Sequence, residues 1–394
     1  MDKNRLKPIK TRMVSSILEL DRQDWDAMVG QGSPFCEWDW LAALEQSGSV
    51  AGQKGWRPLH LIAEDDAGLL GACPAYLKDN SEGEFVFDQE FASLSRALGR
   101  EYYPKLLVGV PFTPVAGTRL LSAPRADRKR VVEALAGGLL EICESMELSS
   151  VHINFLTENE ADLLQPLGFL PRLGLQFHWE NAGYSDFSGY LESFRSRRRN
   201  QIKRERKALS EQGVVIRVIP GEEAGENLAR VLFRLHSLHV GKLYWGRLYF
   251  TEEFFPMIFQ SFKRNLCLLT AEKDGEIIAG TFNVQKGEVF YGRYWGALQE
   301  LPFLHFNVCY YSAIEHCIRR GLKRMEPGAG GEFKYMRGFQ ARLTHSLHHF
   351  RQPELSAAAG RFLPREREYI RLLQGRYNEN SPLKRAPGEM APED

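Results

Sequence analysis

A glycine-rich segment near the C-terminal end of the chain holds residue types that could catalyse a group transfer. It reads RMEPGAGGEFKYMRGF over residues 324–339. Glycines let the backbone approach a ligand closely and leave N–H groups that could bind an anion or a developing oxyanion. Carboxylates beside such a turn could accept a proton, and cations could stabilise charge. The candidate residues of this segment are Glu326, Gly328, Gly330, Gly331, Glu332, Lys334 and Arg337.

The segment also admits a structural interpretation, in which a strand ends in a tight turn. Strand alternation places Arg324 and Glu326 on one face, where they could form an ion pair. A phosphate-binding loop of the nucleotide-hydrolase type is excluded, because no Ser or Thr follows Lys334 and the glycine spacing differs. We therefore expect either acid–base chemistry or a structural turn.

The strand and helix before this segment carry aromatic and polar side chains that could line a ligand pocket. The strand VFYGRYWG spans residues 289–296, and FLHFNVCYYSAIEH follows it. Aromatic rings and an Arg bind ligands through stacking and cation–π contacts, although strand aromatics more commonly pack in a core. The candidate substrate-binding residues here are Arg293, Tyr294, Trp295, His305, Tyr310, Tyr311 and Glu315.

A strongly basic run lies near the middle of the chain. RSRRRNQIKRERK, residues 195–207, has eight basic residues and one acid, within a predicted amphipathic helix over 191–211. Basic side chains three and four residues apart share a helix face and could hold phosphate oxygens. A solvated helix face is the alternative interpretation. The candidate phosphate-binding residues are Arg195, Arg198, Arg199, Lys203 and Arg206.

Histidine spacing predicts no metal site. His236 and His239, and the group His345, His348 and His349, lack further ligands at metal-binding spacing. The chain also has no Gly-x-Ser-x-Gly elbow and no Gly-x-Gly-x-x-Gly after a strand. These absences disfavour a serine hydrolase and a dinucleotide-binding enzyme.

The composition is that of a globular chain with little net charge. Its 394 residues are 43% hydrophobic and carry 51 basic and 50 acidic side chains. Disorder is excluded, and the length suggests two or three domains. Six scattered cysteines favour reduced thiols, and no stretch approaches the about 18 apolar residues of a membrane span. We expect a cytoplasmic protein, and the oligomeric state is left open.

An internal repeat divides the chain into two similar halves. HLIAEDDAGLLGACPAYL and LLTAEKDGEIIAGTFNV each predict a hairpin, and GFLPRLGLQFHW matches GFQARLTHSLHHF later in the chain. The match pairs His178 with His348 and places Asn154 opposite Glu326. Because only the second half has a carboxylate at this position, we expect the chemistry there or at the interface of the halves.

The order of predicted elements gives an α/β fold of two tandem domains. Each domain has a mixed β-sheet flanked by helices. We expect an N-terminal domain over 14–180, a C-terminal domain over 181–352, and a helix with a flexible tail over 353–394.

Taken together, these segments resemble the FemAB-like family of bacterial proteins, predicted N-acyltransferases related to the peptidoglycan-bridge aminoacyl transferases. The resemblance covers most of residues 30–370. It is carried by SPFCEWDWLAALE, PFTPVAGTRLL, HINFLTENEADLLQPLGFLPRLGLQFHW, RSRRRNQIKRERK, YGRYWG, LPFLHFNVCYYSAIEHCI and EPGAGGEFKYMRGF.

The resemblance implies two GNAT-like (acetyltransferase-like) domains and transfer of an acyl or aminoacyl group to the amine of a small molecule or peptide. No tightly bound cofactor is implied; acyl-CoA or aminoacyl-tRNA would be a co-substrate, and tRNA a partner. For this reaction Glu326 or Glu332 is the candidate base, and Lys334 and Arg337 are candidate charge stabilisers. The basic helix would bind a phosphate-rich donor.

The sequence departs from the family pattern at three positions of the glycine loop. Pro327, Gly330 and Phe333 stand where the family usually has Ala, Gln and His. A mechanism that uses that His is therefore closed to this chain. The pyrophosphate loop typical of coenzyme A binding GNAT proteins is also not found, so the donor is left open.

Two other classes of function stay open on the sequence alone. In the first, the basic helix binds RNA or another polyanion and the chain catalyses nothing. In the second, the chain hydrolyses a thioester or ester through Cys309 or Cys317, which are weak candidates because helix cysteines usually pack in a core.

Overall fold

The computed structural model describes residues 8–242 and 246–384. Its strands alternate with helices along most of the chain, as the sequence predicts. The strands are β1 (Lys10–Val14), β2 (Trp56–Pro58), β3 (His60–Asp65), β4 (Gly68–Cys73), β5 (Ala75–Lys78), β6 (Lys105–Val108), β7 (Leu121–Ser122), β8 (Ser150–Leu156), β9 (Leu170–Glu180), β10 (Val215–Pro220), β11 (Leu266–Lys273), β12 (Glu276–Lys286), β13 (Val289–Ala297), β14 (Arg324–Glu326) and β15 (Gln340–Phe350).

Twelve α-helical segments occur in the described part of the chain, together with short 3₁₀ turns. They are α1 (Arg22–Val29), α2 (Trp38–Gln46), α3 (Gln89–Ala97), α4 (Arg128–Ser145), α5 (Glu158–Leu164), α6 (Phe187–Glu192), α7 (Ser196–Glu211), α8 (Glu226–Gly241), α9 (Phe254–Ser261), α10 (Leu304–Phe306), α11 (Ser312–Arg319) and α12 (Pro353–Glu379). A π-helical turn, Asn307–Tyr311, joins α10 to α11, and a 3₁₀ helix spans Glu332–Arg337.

Both hairpins expected from the sequence repeat are present. β3 pairs antiparallel with β4, and β11 pairs antiparallel with β12. The second hairpin turns at Asp274 and Gly275, whose φ angles are +53° and +83°. Two consecutive left-handed residues favour Asp-Gly, because the turn then follows the twist of the strands. The predicted α/β class with mixed sheets and flanking helices is confirmed.

The chain divides into two units, of which the first contains residues up to Leu175, Tyr249–Phe262 and Leu343–Arg371. In this unit β8 pairs in parallel with β6 and antiparallel with β15. Helix α4 covers the sheet and is capped at its N-terminus by Asp127, whose carboxylate accepts the N–H of Arg130. Its apolar face joins the buried core of the unit. Burial of each such aliphatic side chain contributes about 1.5–3 kcal/mol.

The second unit contains Gln176–Leu248, Lys263–Arg342 and the chain from Leu372 onward. Its strands follow the order β10, β11, β12, β13, β14 and the end of β9. Helix α8 packs closely on β13. The approach is possible because residue 296 is a glycine, since a Cβ there would lie 2.1 Å from the Leu235 carbonyl. That glycine lets the helix fix the strand that carries several candidate site residues.

Helix α12 follows the last strand and begins at Pro353, where the missing N–H of proline costs nothing. The predicted flexible tail falls largely on residues 385–394, which lie outside the described residues. The domain bounds 14–180, 181–352 and 353–394 stay a prediction. Within the described ranges, no helix has both the length and the apolar character needed to cross a bilayer.

Candidate functional site

Glu326 ends the short strand β14 in the second unit. β14 pairs in parallel with β13, where Tyr291 is the partner of Glu326, and antiparallel with β9, where Trp179 is the partner of Met325. The strand stops because Pro327 has no N–H to continue the ladder. Glu326 is therefore held between two strands and is only 3% exposed.

The two carboxylate oxygens of Glu326 have different surroundings. Oε1 lies 2.9 Å from Nε of Arg324, which is the ion pair of the structural interpretation. Oε2 has no hydrogen-bond partner among the described residues, and Nε2 of His178 lies 4.0 Å away on β9. Burial raises the pKa of Glu326 to about 7, although Arg324 and Arg293 oppose that shift. Burial lowers the pKa of His178 to about 3, so this imidazole is neutral.

An open cavity of about 340 Å³ lies where β13 continues past the end of β14. Five of the predicted substrate-binding residues line it, and so does Pro327, the residue that follows Glu326. The complete lining is Thr281, Asn283, Gly292, Arg293, Tyr294, Trp295, His305, Cys309, Tyr310 and Pro327.

Arg293 reaches this cavity because of an irregularity in β13. Asn283 pairs with Gly292, but Phe282 pairs with Tyr294, so Arg293 is the extra residue of a β-bulge. Bulges re-aim a side chain and occur often beside active sites. The guanidinium carbon of Arg293 lies 5.6 Å from the centre of the Tyr294 ring.

Aromatic rings form the opposite side of the cavity. The ring of His305 lies 5.2 Å from that of Trp295 and 5.3 Å from that of Tyr310. Phe333, which is 42% exposed, packs against the same His305 ring at 5.9 Å. Burial lowers the pKa of His305 to about 4, so its ring is neutral. The π-helical turn that carries Tyr310 is a feature found often at functional sites.

The glycine loop has the backbone conformation that its glycines allow. The φ angles of Gly328, Gly330 and Gly331 are +86°, +70° and +83°. Residues other than glycine rarely adopt such values. The ammonium of Lys334 donates hydrogen bonds to the carbonyls of Gly328 (2.7 Å) and Ala329 (3.1 Å). Burial lowers the pKa of Lys334 to about 7. Lys334 thus holds the loop from inside, and the side chain of Glu332 lies outside what the structure describes.

Arg337 and Tyr311, both predicted to bind substrate, lie in a buried cluster apart from the cavity lining. Nη2 of Arg337 lies 3.2 Å from Oε2 of Glu205, and the Tyr311 hydroxyl donates to the same oxygen. Nη1 of Arg337 donates to the carbonyl of Phe333 at 2.8 Å, and its guanidinium stacks 3.4 Å above the Phe306 ring. This cluster connects helix α7 to the 3₁₀ helix after the glycine loop.

The basic run forms helix α7, which is shorter than predicted. The backbone of Arg195 is extended and its N–H donates to the carbonyl of Pro382, so the helix begins at Ser196. Ile202, Glu205 and Leu209 form its buried face. The predicted helix over 191–211 is therefore interrupted between α6 and α7.

The cations of α7 differ in their partners. Arg206 binds Glu315 at 2.7 Å, so these two predicted ligand-binding residues pair with each other. Within the described residues, no ion pair is formed by Arg195, Arg197, Arg198, Arg199, Lys203 or Arg204. The one acid of the run, Glu205, points inward. Apart from the exposed pair of Lys207 and Glu211, the outer side of α7 is therefore cationic. Arg198 lies on the inner side, near Glu205 and Arg337.

Of the two thiols considered as nucleophiles, Cys317 is buried and Cys309 is partly exposed in the cavity lining. Burial raises the pKa of Cys309 and of Cys317 well above the ordinary value, so little thiolate forms at neutral pH. This disfavours the hydrolase interpretation.

Several site residues were not predicted as such. His178 appeared only as the repeat partner of His348, and Glu205 only as the single acid of a basic run. For Glu205 the sequence held a clue, since a single carboxylate within a basic run is often buried in an ion pair. Thr281 and Asn283 gave no signal in the sequence.

Structural comparison finds the same fold in proteins of very different sequence. FemX superposes with a TM-score of 0.52 at 12% identity, covering 89% of this chain and 100% of that chain. L-PGS from Bacillus licheniformis gives 0.50 at 10% identity, over 82% and 95% of the chains. The C-terminal domain of a putative lysylphosphatidylglycerol synthetase from Agrobacterium fabrum gives 0.53 at 9% identity, over 87% and 95%.

No curated protein matches the sequence. A family model does match it, and this confirms the resemblance described above. It also confirms the predicted class of enzyme, an N-acyl- or aminoacyltransferase. With residues 16–385 matching the FemAB-like model, described as peptidoglycan biosynthesis/recognition, the chain belongs to the FemAB-like family.

Proposed function

We propose that the chain moves an acyl or aminoacyl group from an activated donor to an amine, with Glu326 as the general base. One observation carries this assignment: Glu326 directly precedes the cavity residue Pro327, its buried Oε2 has no hydrogen-bond partner among the described residues, and burial raises the pKa of the carboxyl group to about 7. A general base works best when its pKa lies near the operating pH. In the first unit the repeat places Asn154 at this position, which supports the second unit as the catalytic one.

The acceptor arrives as an ammonium ion, and Glu326 first relays one of its protons to solvent. The free amine nitrogen then attacks the carbonyl carbon of the donor while Glu326 accepts a second proton from the nitrogen. The tetrahedral intermediate then collapses, and the bond from carbon to the carrier oxygen or sulfur breaks. Glu326 returns the proton to the leaving atom. His178 is neutral and lies 4.0 Å from Oε2, so it adds no positive charge beside the carboxylate.

The glycine loop is suited to stabilise the oxyanion of that intermediate. The left-handed conformations of Gly330 and Gly331 can turn backbone N–H groups toward a ligand, and Lys334 fixes the loop through the carbonyls of Gly328 and Ala329. Preorganised N–H groups are worth about 10²–10³ in rate at other acyl-transfer sites. We assign positioning rather than direct charge stabilisation to Lys334 and Arg337.

The outer face of α7 supports a phosphate-rich donor. Five basic side chains without ion pairs in the described structure, Arg195, Arg197, Arg199, Lys203 and Arg204, match the repeated charges of a tRNA better than the compact charge of coenzyme A. The fold shared with a putative lysylphosphatidylglycerol synthetase also supports an aminoacyl donor. We therefore favour aminoacyl-tRNA over an acyl thioester, and a peptide amine as acceptor in view of the family description.

A transfer assay with both donors tests this proposal. Aminoacyl-tRNA and acyl-CoA are each supplied with a panel of amines, and product is identified by mass spectrometry. We expect Glu326→Gln to lower the rate by about 10²- to 10⁴-fold. Glu288→Gln, which alters an exposed carboxylate of the same unit, is the control and should keep the rate. No transfer from either donor to any amine would refute the proposal.

A further inference from the structure

The cavity beside Glu326 has a charge pattern that discriminates among amines. Among the lining side chains that the structure describes, Arg293 is the one with a permanent charge, and none is an Asp or Glu. His305 is neutral because burial lowers its pKa to about 4. An alkylammonium ion that faces Glu326 would also meet the Arg293 guanidinium, and the lining offers no further carboxylate to offset that charge.

Arg293 stands close to the residues that handle the reaction. Its position at the bulge turns it toward the cavity, and a Cβ built on Gly328 would lie 3.7 Å from its Nη1. Its charge is felt by Glu326 and Lys334, since it lowers the pKa of both. A group bound to Arg293 therefore lies at the proposed base and at the glycine loop.

A carboxylate on the acceptor would complement this arrangement. Guanidinium and carboxylate form paired, directional hydrogen bonds, and the partly desolvated setting strengthens them. The aromatic walls formed by Trp295, Tyr310 and Tyr294 would pack on an aliphatic stem between the two charged groups. The cavity is small and partly open to solvent, so it would receive one end of an acceptor rather than enclose a large ligand.

We infer that the acceptor carries its own carboxylate, which Arg293 binds while the acceptor amine faces Glu326. This inference rests on the proposed function. A free amino acid and the C-terminal residue of a peptide with a side-chain amine share the required chemistry. Each of these acceptors carries both a carboxylate and an ammonium group. The Arg293 guanidinium therefore attracts the carboxylate, whereas it would repel an acceptor with the ammonium group alone.

The test compares acceptors that differ only in the carboxylate. Binding of lysine and of its decarboxylated form, cadaverine, is measured by calorimetry without donor. A charged hydrogen-bond pair of about 1.5–3 kcal/mol corresponds to a preference of roughly 10- to 150-fold for lysine. A short peptide ending in lysine, with a free or amidated C-terminus, distinguishes the peptide source from the free amino acid.

Variants identify the residue responsible. Arg293→Gln should bind lysine and cadaverine within about twofold of each other, and Arg293→Lys should retain part of the preference. Lys323→Gln removes an exposed cation of the same unit and should keep the full preference. Thermal melting checks that every variant is folded.

The outcomes separate this inference from the proposed function. Equal binding of lysine and cadaverine by the wild-type protein would overturn the inference, as would an Arg293→Gln variant with unchanged preference. If the protein transfers groups to cadaverine and lysine equally well, the proposed function stands and the inference fails. Carboxylate-selective binding without transfer to any amine would support the inference and refute the function.

Discussion

Nε2 of His178 lies 4.0 Å from Oε2 of Glu326, and neither atom has a hydrogen-bond partner among the residues described. The two side chains come from neighbouring strands and are both buried. Burial lowers the pKa of the His178 imidazole to about 3 and raises the pKa of the Glu326 carboxyl to about 7. A neutral ring thus stands beside a carboxyl group that titrates near neutral pH.

The first prediction concerns the pH dependence of the rate. Since Glu326 accepts a proton only as a carboxylate, kcat should rise tenfold per pH unit below about 7 and level off above it. The measurement is kcat at saturating donor and acceptor from pH 5 to 9. A plateau already reached at pH 5, where Glu326 is protonated, would contradict the assignment.

The second prediction concerns the pH dependence of stability. The pKa of Glu326 rises from 4.5 to about 7 on folding. The stabilisation of the folded state by the protonated carboxyl is therefore fully present below pH 4.5 and is lost as the pH rises through 7. This titration removes about 3 kcal/mol between pH 4.5 and 8. Glu326→Gln should lose correspondingly less stability over that interval in urea titrations. Parallel curves for the two proteins would show that the carboxyl does not titrate as described.

The third prediction concerns the buried pair of Glu205 and Arg337. Glu205→Gln leaves the guanidinium buried without its anion and should reduce the free energy of unfolding by about 3–5 kcal/mol. Glu211→Gln alters an exposed pair on the same helix and should cost less than about 1 kcal/mol. Adding Arg337→Met to Glu205→Gln should restore part of the loss. Denaturant unfolding checks all three, and equal effects at Glu205 and Glu211 would argue against a buried ion pair.

The fourth prediction concerns the outer face of α7. Replacing Arg195, Arg199 and Lys203 together by Ala should weaken tRNA binding and reduce the salt slope by roughly one unit for each lost phosphate contact. A triple Ala variant on the strands of the same unit, at Arg217, Lys273 and Lys286, serves as the matched control.

Binding isotherms at several salt concentrations measure that slope for each variant. An α7 variant with the slope of the wild-type protein would leave the helix as solvated surface.

The fold was largely predictable because its signals are local. Each hairpin is encoded by a short alternating segment with an acidic or glycine turn, and the strand 289–296 is recognisable from its residue types. The bulge that brings Arg293, Tyr294 and Trp295 together at the cavity could not be read from alternation. The interruption before Ser196 was missed because it depends on a hydrogen bond from Arg195 to Pro382, far along the chain.

Site residues could be predicted from the sequence only where a suitable residue type also lies on the face of its strand or helix that borders the cavity. Arg293 and Trp295 line the cavity as expected, whereas Arg337 and Tyr311 are turned toward Glu205. Type and spacing could not show this, because the partner acid sits on a helix remote in sequence. His178 was missed for the same reason, since only strand pairing brings it to Glu326.

The most direct measurement compares two acceptors in the Glu326→Gln variant by single-turnover kinetics. An alkylamine is protonated at neutral pH, whereas hydroxylamine is already unprotonated and needs far less help from a base. Proton acceptance by Glu326 predicts a loss of about 10²- to 10⁴-fold with the alkylamine and a much smaller loss with hydroxylamine. Equal losses with both acceptors, or no loss with either, would contradict the account.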